Sequence, residues 1–176
     1  MLLSQDLYAD ALTFAARAHG KQITPFGLPY VVHVSCVAME VIVALHAEPG
    51  RDGDLAVTCA LLHDVIEDTS ITRNELESAF GPRVAAGVAA LTKDISHGKT
   101  AAMLDSLDRI EREPVEVALV KLGDRITNLG PPPKHWTTEK IAGYRDEAIL
   151  IADRLEWVSA VLGTRLRARI ARYPME

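Results

Sequence analysis

The residues best suited to chemistry lie inside an otherwise apolar run, Ala60-Leu61-Leu62-His63-Asp64-Val65-Ile66-Glu67-Asp68-Thr69. Helical spacing places His63 and Glu67 on one face, four residues apart, and pairs Asp64 with Asp68 by the same offset. Three carboxylates and one imidazole within six residues are costly to bury unless they meet a cation or hydrogen-bond donors. The competing reading is a satisfied core histidine followed by a solvated helix end. Acidic groups at a helix C-terminus oppose the helix dipole, which counts against it. Two distant residues extend the pattern. His33 follows Pro29-Tyr30-Val31-Val32 at a helix start, and Asp124 interrupts the apolar stretch from Val120 to Leu129. Taken singly, His33 is a cap or a surface group and Asp124 is the ion-pair partner of Arg125. Taken together, His33, His63, Asp64 and Asp124 offer two imidazoles and two carboxylates from three helices. Such mixed nitrogen and oxygen ligation suits Mn, Fe or Zn better than a thiolate-seeking ion.

The elements that must position these groups read as helices with short punctuation. Leu7, Ala11, Phe14, Ala15 and Ala18 recur at helical spacing and predict a first helix over about Leu7 to His19. Gly20 to Pro29 is a loop rich in Gly and Pro. A second helix covers about His33 to His46, and a third runs from Asp54 to Glu67. Thr72 with Glu75 three residues on is a capping box that starts a fourth. Gly81-Pro82 ends it and opens a fifth, which reaches about Leu91. Lys93 to Lys99 is a polar loop, and Thr100 to Arg112 a sixth helix. Pro114 opens a seventh that ends near Leu129. Pro131 to Pro133 form a stiff link. An eighth helix begins at Thr137, where Trp136 and Ile141 stand at the positions of a hydrophobic staple. It extends to about Leu162, with Gly163 separating it from a short terminal helix that ends before Pro174. The fold expected is an all-α, single-domain helical bundle spanning residues 1–176.

Composition agrees. With 176 residues, 48% hydrophobic and 24% charged, the chain can bury a sizeable core. Its nine aromatics are few, while Ala, Leu and Val are abundant, which favours helix over sheet. A formal net charge of −5 argues against a nucleic-acid surface. No apolar run reaches the ~20 residues that cross a bilayer, and the start from Met1 to Asp6 lacks the basic and apolar regions of a secretory signal. Cys36 and Cys59 read as reduced core thiols, so a cytoplasmic location is expected. Arg165, Arg167, Arg169 and Arg172 form a basic tail that suits an exposed face or a homo-oligomer contact. His19, His46, His97 and His135 match no ligand motif.

Several segments together are similar to a known family. Leu62-His63-Asp64-Val65-Ile66-Glu67-Asp68-Thr69 resembles the HD-plus-ED signature of the RelA/SpoT-type (p)ppGpp hydrolases of the HD superfamily. Pro29-Tyr30-Val31-Val32-His33 resembles their first metal-histidine motif, and Lys121-Leu122-Gly123-Asp124-Arg125-Ile126-Thr127-Asn128-Leu129 their K-L-A-D-R-x-x-N-[LM] motif. Phe80 to Val84, followed by Leu91-Thr92-Lys93, also resembles the stretch between them. The resemblance implies an HD-type helical metallo-phosphohydrolase, a small stand-alone alarmone hydrolase. In it His33, His63, Asp64 and Asp124 hold a divalent ion, typically Mn²⁺, with Fe²⁺ or Zn²⁺ as alternatives. Glu67 and Asp68 match the catalytic pair, Asn128 a substrate-pocket position and Tyr144 a tyrosine near the nucleotide. The implied reaction removes the 3′-pyrophosphate of a guanosine polyphosphate.

One stretch departs from the family. Its first loop reads H-x-G-Q-x-R-K, with a basic pair on the nucleotide, whereas Ile23 and Thr24 stand there in this chain. Lys21 is the candidate substitute, and Lys93, Lys99 and Lys121 are further sources of positive charge. The departure keeps two alternatives open: the same metal chemistry on another phosphorylated nucleotide, and a non-catalytic nucleotide sensor. The Glu67-Asp68 pair counts against the sensor, since a binder needs no proton-transfer group beside a metal.

Overall fold

The structure, a computed structural model, describes residues 3–94, 96 and 98–174. Of the residues singled out above, Met1, Leu2 and His97 lie outside these ranges. Helices dominate: α1 (Gln5–His19), α2 (Val31–Ala47), α3 (Gly53–Leu62), α4 (Val65–Asp68), α5 (Arg73–Phe80), α6 (Pro82–Leu91), α7 (Lys99–Ile110), α8 (Val115–Asn128), α9 (Thr138–Leu155) and α10 (Ala160–Arg172). Among the described residues no strand forms, and the one isolated bridge pairs Ile23 with Pro29. No described helix is long and apolar enough to cross a membrane.

Starts follow local chemistry. Ser4, Asp52, Thr72, Thr137 and Ser159 each cap a helix through a side-chain oxygen. Thr72 and Glu75 complete the expected capping box, and Pro82 opens α6. Trp136, just before the Thr137 cap, stands edge-on to Tyr144, with ring centroids 5.1 Å apart.

Two expected helices break. The run from Asp54 to Glu67 is interrupted at His63-Asp64, where the chain turns between α3 and α4. The last helices divide at Leu155 rather than Leu162. A 3-10 turn, Glu156–Val158, precedes the Ser159 cap, and Gly163 lies inside α10. There its bare Cα permits close packing, because a Cβ would come within 2.9 Å of Glu156 Cβ. Periodicity continues through both breaks, so it could not reveal them.

Helix α3 is buried on every side from Leu55 to Leu62, as suits an element at the centre of a core. It packs against α1, α2, α6 and α8. Leu61, Leu62, Leu119, Leu122 and Ile126 are fully buried, each worth about 1.5–3 kcal/mol relative to exposure. Gly123 packs α8 against α2, where a Cβ would sit in van der Waals contact, 3.4 Å from the Val37 carbonyl oxygen. Cys59 belongs to this core, and burial pushes its thiol up to about 12. Cys36 departs from expectation: it is exposed, on the wall of a surface cavity.

Candidate metal centre and the adjoining cavity

Three segments aim polar groups at one point. His33 comes from the first turn of α2, His63 and Asp64 from the turn between α3 and α4, and Asp124 from α8. His33, His63 and Asp64 each present a ligand atom within 4.8 Å of the others. His63 Nε2 lies 2.9 Å from Asp64 Oδ2 and 3.7 Å from Asp124 Oδ1. His33 Nε2 lies 3.6 Å from Asp64 Oδ2, 3.5 Å from Asp124 Oδ1 and 3.3 Å from His63 Nε2.

A divalent cation fits this donor set. His63 Nδ1 is 2.8 Å from the Ala60 carbonyl oxygen, an acceptor that fixes the proton on Nδ1 and leaves Nε2 as a lone pair. That lone pair faces a second imidazole and two carboxylates whose oxygens are acceptors themselves. Such a cluster is tolerable in a buried place only around positive charge. Protons answer the same demand. Burial alone would lower His33 and His63, yet the facing Asp64 and Asp124 raise both, His63 strongly. Burial would raise Asp64 and Asp124, and the imidazoles instead hold both well below the usual carboxylate range, with Lys121 adding to the effect on Asp124.

The surrounding contacts hold the carboxylates in place. Tyr30 donates from its hydroxyl to Asp64 Oδ2 at 2.5 Å, and burial followed by Asp64 drives the phenol far above its ordinary range. Lys121 Nζ lies 3.7 Å from Asp124 Oδ2, and its burial lowers its pKa. Asn128 donates to Asp124 Oδ1 at 2.5 Å.

The Glu67-Asp68 pair sits on α4. Lys93 engages both oxygens of Glu67: its ammonium is 2.7 Å from Oε1 and its backbone N–H donates to Oε2 at 2.9 Å. Burial lowers Lys93, but Glu67 outweighs it and the ammonium is held above its ordinary value. Asp68 Oδ2 accepts from Gln22 Nε2 at 2.9 Å, while Gln22 Oε1 lies 2.8 Å from His19 Nδ1. His19 is buried, tilted against the Tyr30 ring with centroids 4.5 Å apart. Tyr30, Gln22 and His19 therefore support the site although the sequence assigned them no role. Tyr30 lies inside the Pro29-to-His33 motif, and His19 and Gln22 stand three apart in the stretch compared above with the family's first loop.

A cavity of about 510 Å³ opens beside the centre, with His33, Tyr30, Asn128 and Gln22 on one side. Its other walls are largely apolar and include Ile23, Phe26, Leu28, Val32 and Trp136. Ile23 and Phe26 are each 62% exposed, and Ile23 and Thr24, where a basic pair was expected, both line the cavity without charge. Asn128 lines this cavity. Lys21 and Tyr144 do not: Lys21 is exposed, and Tyr144 lies under Arg125, whose guanidinium carbon is 4.3 Å from the ring centroid. Tyr144 contacts Trp136 and Tyr173, which themselves line the cavity.

The chain is similar to known proteins. Residues 11–151 match the family model described as HD domain. The chain is 31% identical over 165 residues to guanosine-3′,5′-bis(diphosphate) 3′-pyrophosphohydrolase MESH1 of Danio rerio, covering 90% of this chain and 89% of that one. Against its Homo sapiens counterpart identity is 30% over 164 residues, with the same coverage of 90% and 89%. A guanosine-3′,5′-bis(diphosphate) 3′-pyrophosphohydrolase of Aquifex aeolicus is 36% identical over 122 residues, 68% of this chain and 17% of that protein. A solved structure described as a metazoan orthologue of SpoT that hydrolyses ppGpp superposes with a TM-score of 0.83 at 27% identity, covering all of both chains.

Proposed function

The chain belongs to the HD-domain family, and on that premise we propose that it is a phosphohydrolase removing the 3′-pyrophosphate from (p)ppGpp, leaving GDP or GTP and pyrophosphate. Divalent-metal binding accompanies the family, and Mn²⁺ is the ion we assign, with Fe²⁺ or Zn²⁺ as alternatives. The observation that carries the reading is the convergence of His33, His63, Asp64 and Asp124 beside a nucleotide-sized cavity.

These four residues would hold the ion, which when bound lowers the pKa of water and polarises phosphoryl oxygen. The other tasks fall to the chain. Glu67, oriented by Lys93, takes the proton of the attacking water. Asp68, held by Gln22, orients that water and returns a proton. The water oxygen bonds to the phosphorus carried by ribose O3′, the P–O3′ bond breaks, and O3′ takes up a proton. Asn128 meets the nucleotide from the cavity wall. Tyr144 supports that wall from behind, and Lys21 adds positive charge at the loop. Residues 1–176 act as one domain on a small-molecule substrate, in the cytoplasm, with the α10 face available for self-association.

The test is incubation of the purified protein with ppGpp and Mn²⁺, with products separated by anion exchange. GDP and pyrophosphate are expected, and Glu67→Gln should lose about 10²-fold or more in kcat with metal content unchanged. Inert ppGpp beside turnover of another phosphorylated nucleotide would transfer the chemistry to that substrate. No turnover of any nucleotide would favour a sensor. The apolar wall at Ile23 is the observation that keeps a different nucleotide in play.

A further inference from the structure

A (p)ppGpp substrate carries anionic groups at both ends of its ribose, and the metal centre answers only the 3′ end. The loop that should meet the rest is apolar here: Ile23 and Phe26 line the cavity. Three cations nearest the centre are committed elsewhere. Lys93 is bound by Glu67, Lys121 faces Asp124, and Arg125 is divided between Glu147 and the Tyr144 ring.

Beyond the far wall lies a second cavity of about 410 Å³, lined by Leu129, Gly130, Pro131, Pro132, Arg169, Arg172, Tyr173 and Pro174. Pro131, Pro132 and Tyr173 line both cavities, so the two meet across one wall. Arg165 and Arg167 on the same helix are tied up, the first by Glu40 and the second by Asp153 and Glu156. Arg169 and Arg172 are exposed, and no acidic partner is found for either among the described residues. Cations in a last helical turn complement the helix dipole without any ligand. What points to a ligand is their place in a cavity that shares a wall with the one reaching His33.

We propose that Arg169 and Arg172 form the subsite for the 5′-diphosphate arm of the nucleotide, reached across Pro131, Pro132 and Tyr173. The inference rests on the nucleotide reading above. Guanidinium groups suit it because they bind phosphate through paired N–H donors. The pair supplies the attraction that Ile23 and Thr24 do not.

Calorimetry with GDP and guanosine tests the subsite without relying on turnover. The wild type should bind GDP about ten-fold more tightly than guanosine, an advantage that shrinks as salt rises. R169A/R172A should bind the two alike, and R169K/R172K should recover part of the difference. An unchanged melting temperature shows that both variants fold. A GDP advantage that survives in R169A/R172A, or is absent in the wild type, overturns the subsite. Loss of the advantage in R169A/R172A supports it even where the wild type fails to hydrolyse ppGpp, an outcome that would overturn only the reaction. In turnover, the preference of the wild type for ppGpp over guanosine 3′-diphosphate should vanish in R169A/R172A, and its persistence would contradict the proposal.

Discussion

His63 donates its Nδ1 proton to the Ala60 carbonyl, so its remaining lone pair must meet Asp64, His33 and Asp124. Protons and a divalent ion therefore compete for the same place, and the sign of the pH response follows. In chelator-treated protein His33 and His63 titrate above their ordinary 6.5. A raised imidazole contributes stability that is complete below the unfolded value and lost as pH rises through the folded one. Asp64 and Asp124, lowered from 3.8, contribute stability that is complete above that value and lost as pH falls through their folded ones. Thermal melts of the chelated protein over about pH 5 to 9 should show the melting temperature falling towards the alkaline side. Added Mn²⁺ should remove the fall. A melting temperature that climbs with pH in the chelated protein would refute the arrangement. At this scale much was legible, because His63, Asp64, Glu67 and Asp68 are too polar for the run that contains them. Gln22 and His19 were not. Their importance is a pair of hydrogen bonds that depends on where the loop after α1 is laid down.

The elements matter through the spacing they impose. Helices α2 and α8, which carry His33 and Asp124, pack against each other at Gly123, where a Cβ would already be in van der Waals contact, 3.4 Å from Val41 Cγ2 and 3.5 Å from Glu40 Cβ, and a branched side chain would have no room. Gly123→Val should push the two helices apart. We expect a loss of about 1–3 kcal/mol in denaturant unfolding, together with weaker Mn²⁺ affinity by calorimetry. Stability lost with metal affinity retained would show that the spacing of α2 and α8 does not govern the centre. The break between α3 and α4 works similarly, placing His63 and Asp64 in a turn rather than along one helix face. Sequence signals placed most of the helices and the caps at Thr72 and Thr137, because those signals are local. They could not mark the turn at His63-Asp64, since the Asp68 N–H still bonds the Asp64 carbonyl at 2.8 Å as a helix would.

Across the whole molecule, the buried α3 anchors a bundle whose one end gathers acidic and imidazole groups beside an apolar cavity. The all-α architecture was legible from composition and spacing, since few aromatics and a regular apolar repeat leave little else. The cavity was not, because Ile23, Phe26, Trp136 and Tyr173 come from three separate stretches of chain that only the fold unites. With a net charge of −5 the protein gains little long-range attraction for an anionic substrate, which places the burden on the ion and on local cations. The central claim is that three segments grip one divalent ion and that hydrolysis depends on it. Elemental analysis of the wild type and of His33→Ala, His63→Ala, Asp64→Ala and Asp124→Ala, each paired with a ppGpp hydrolysis assay, tests it most directly. The wild type should carry an ion that every variant loses or holds far more weakly, and hydrolysis should fall with it. Metal content and hydrolysis unchanged in the folded His63→Ala protein would contradict it.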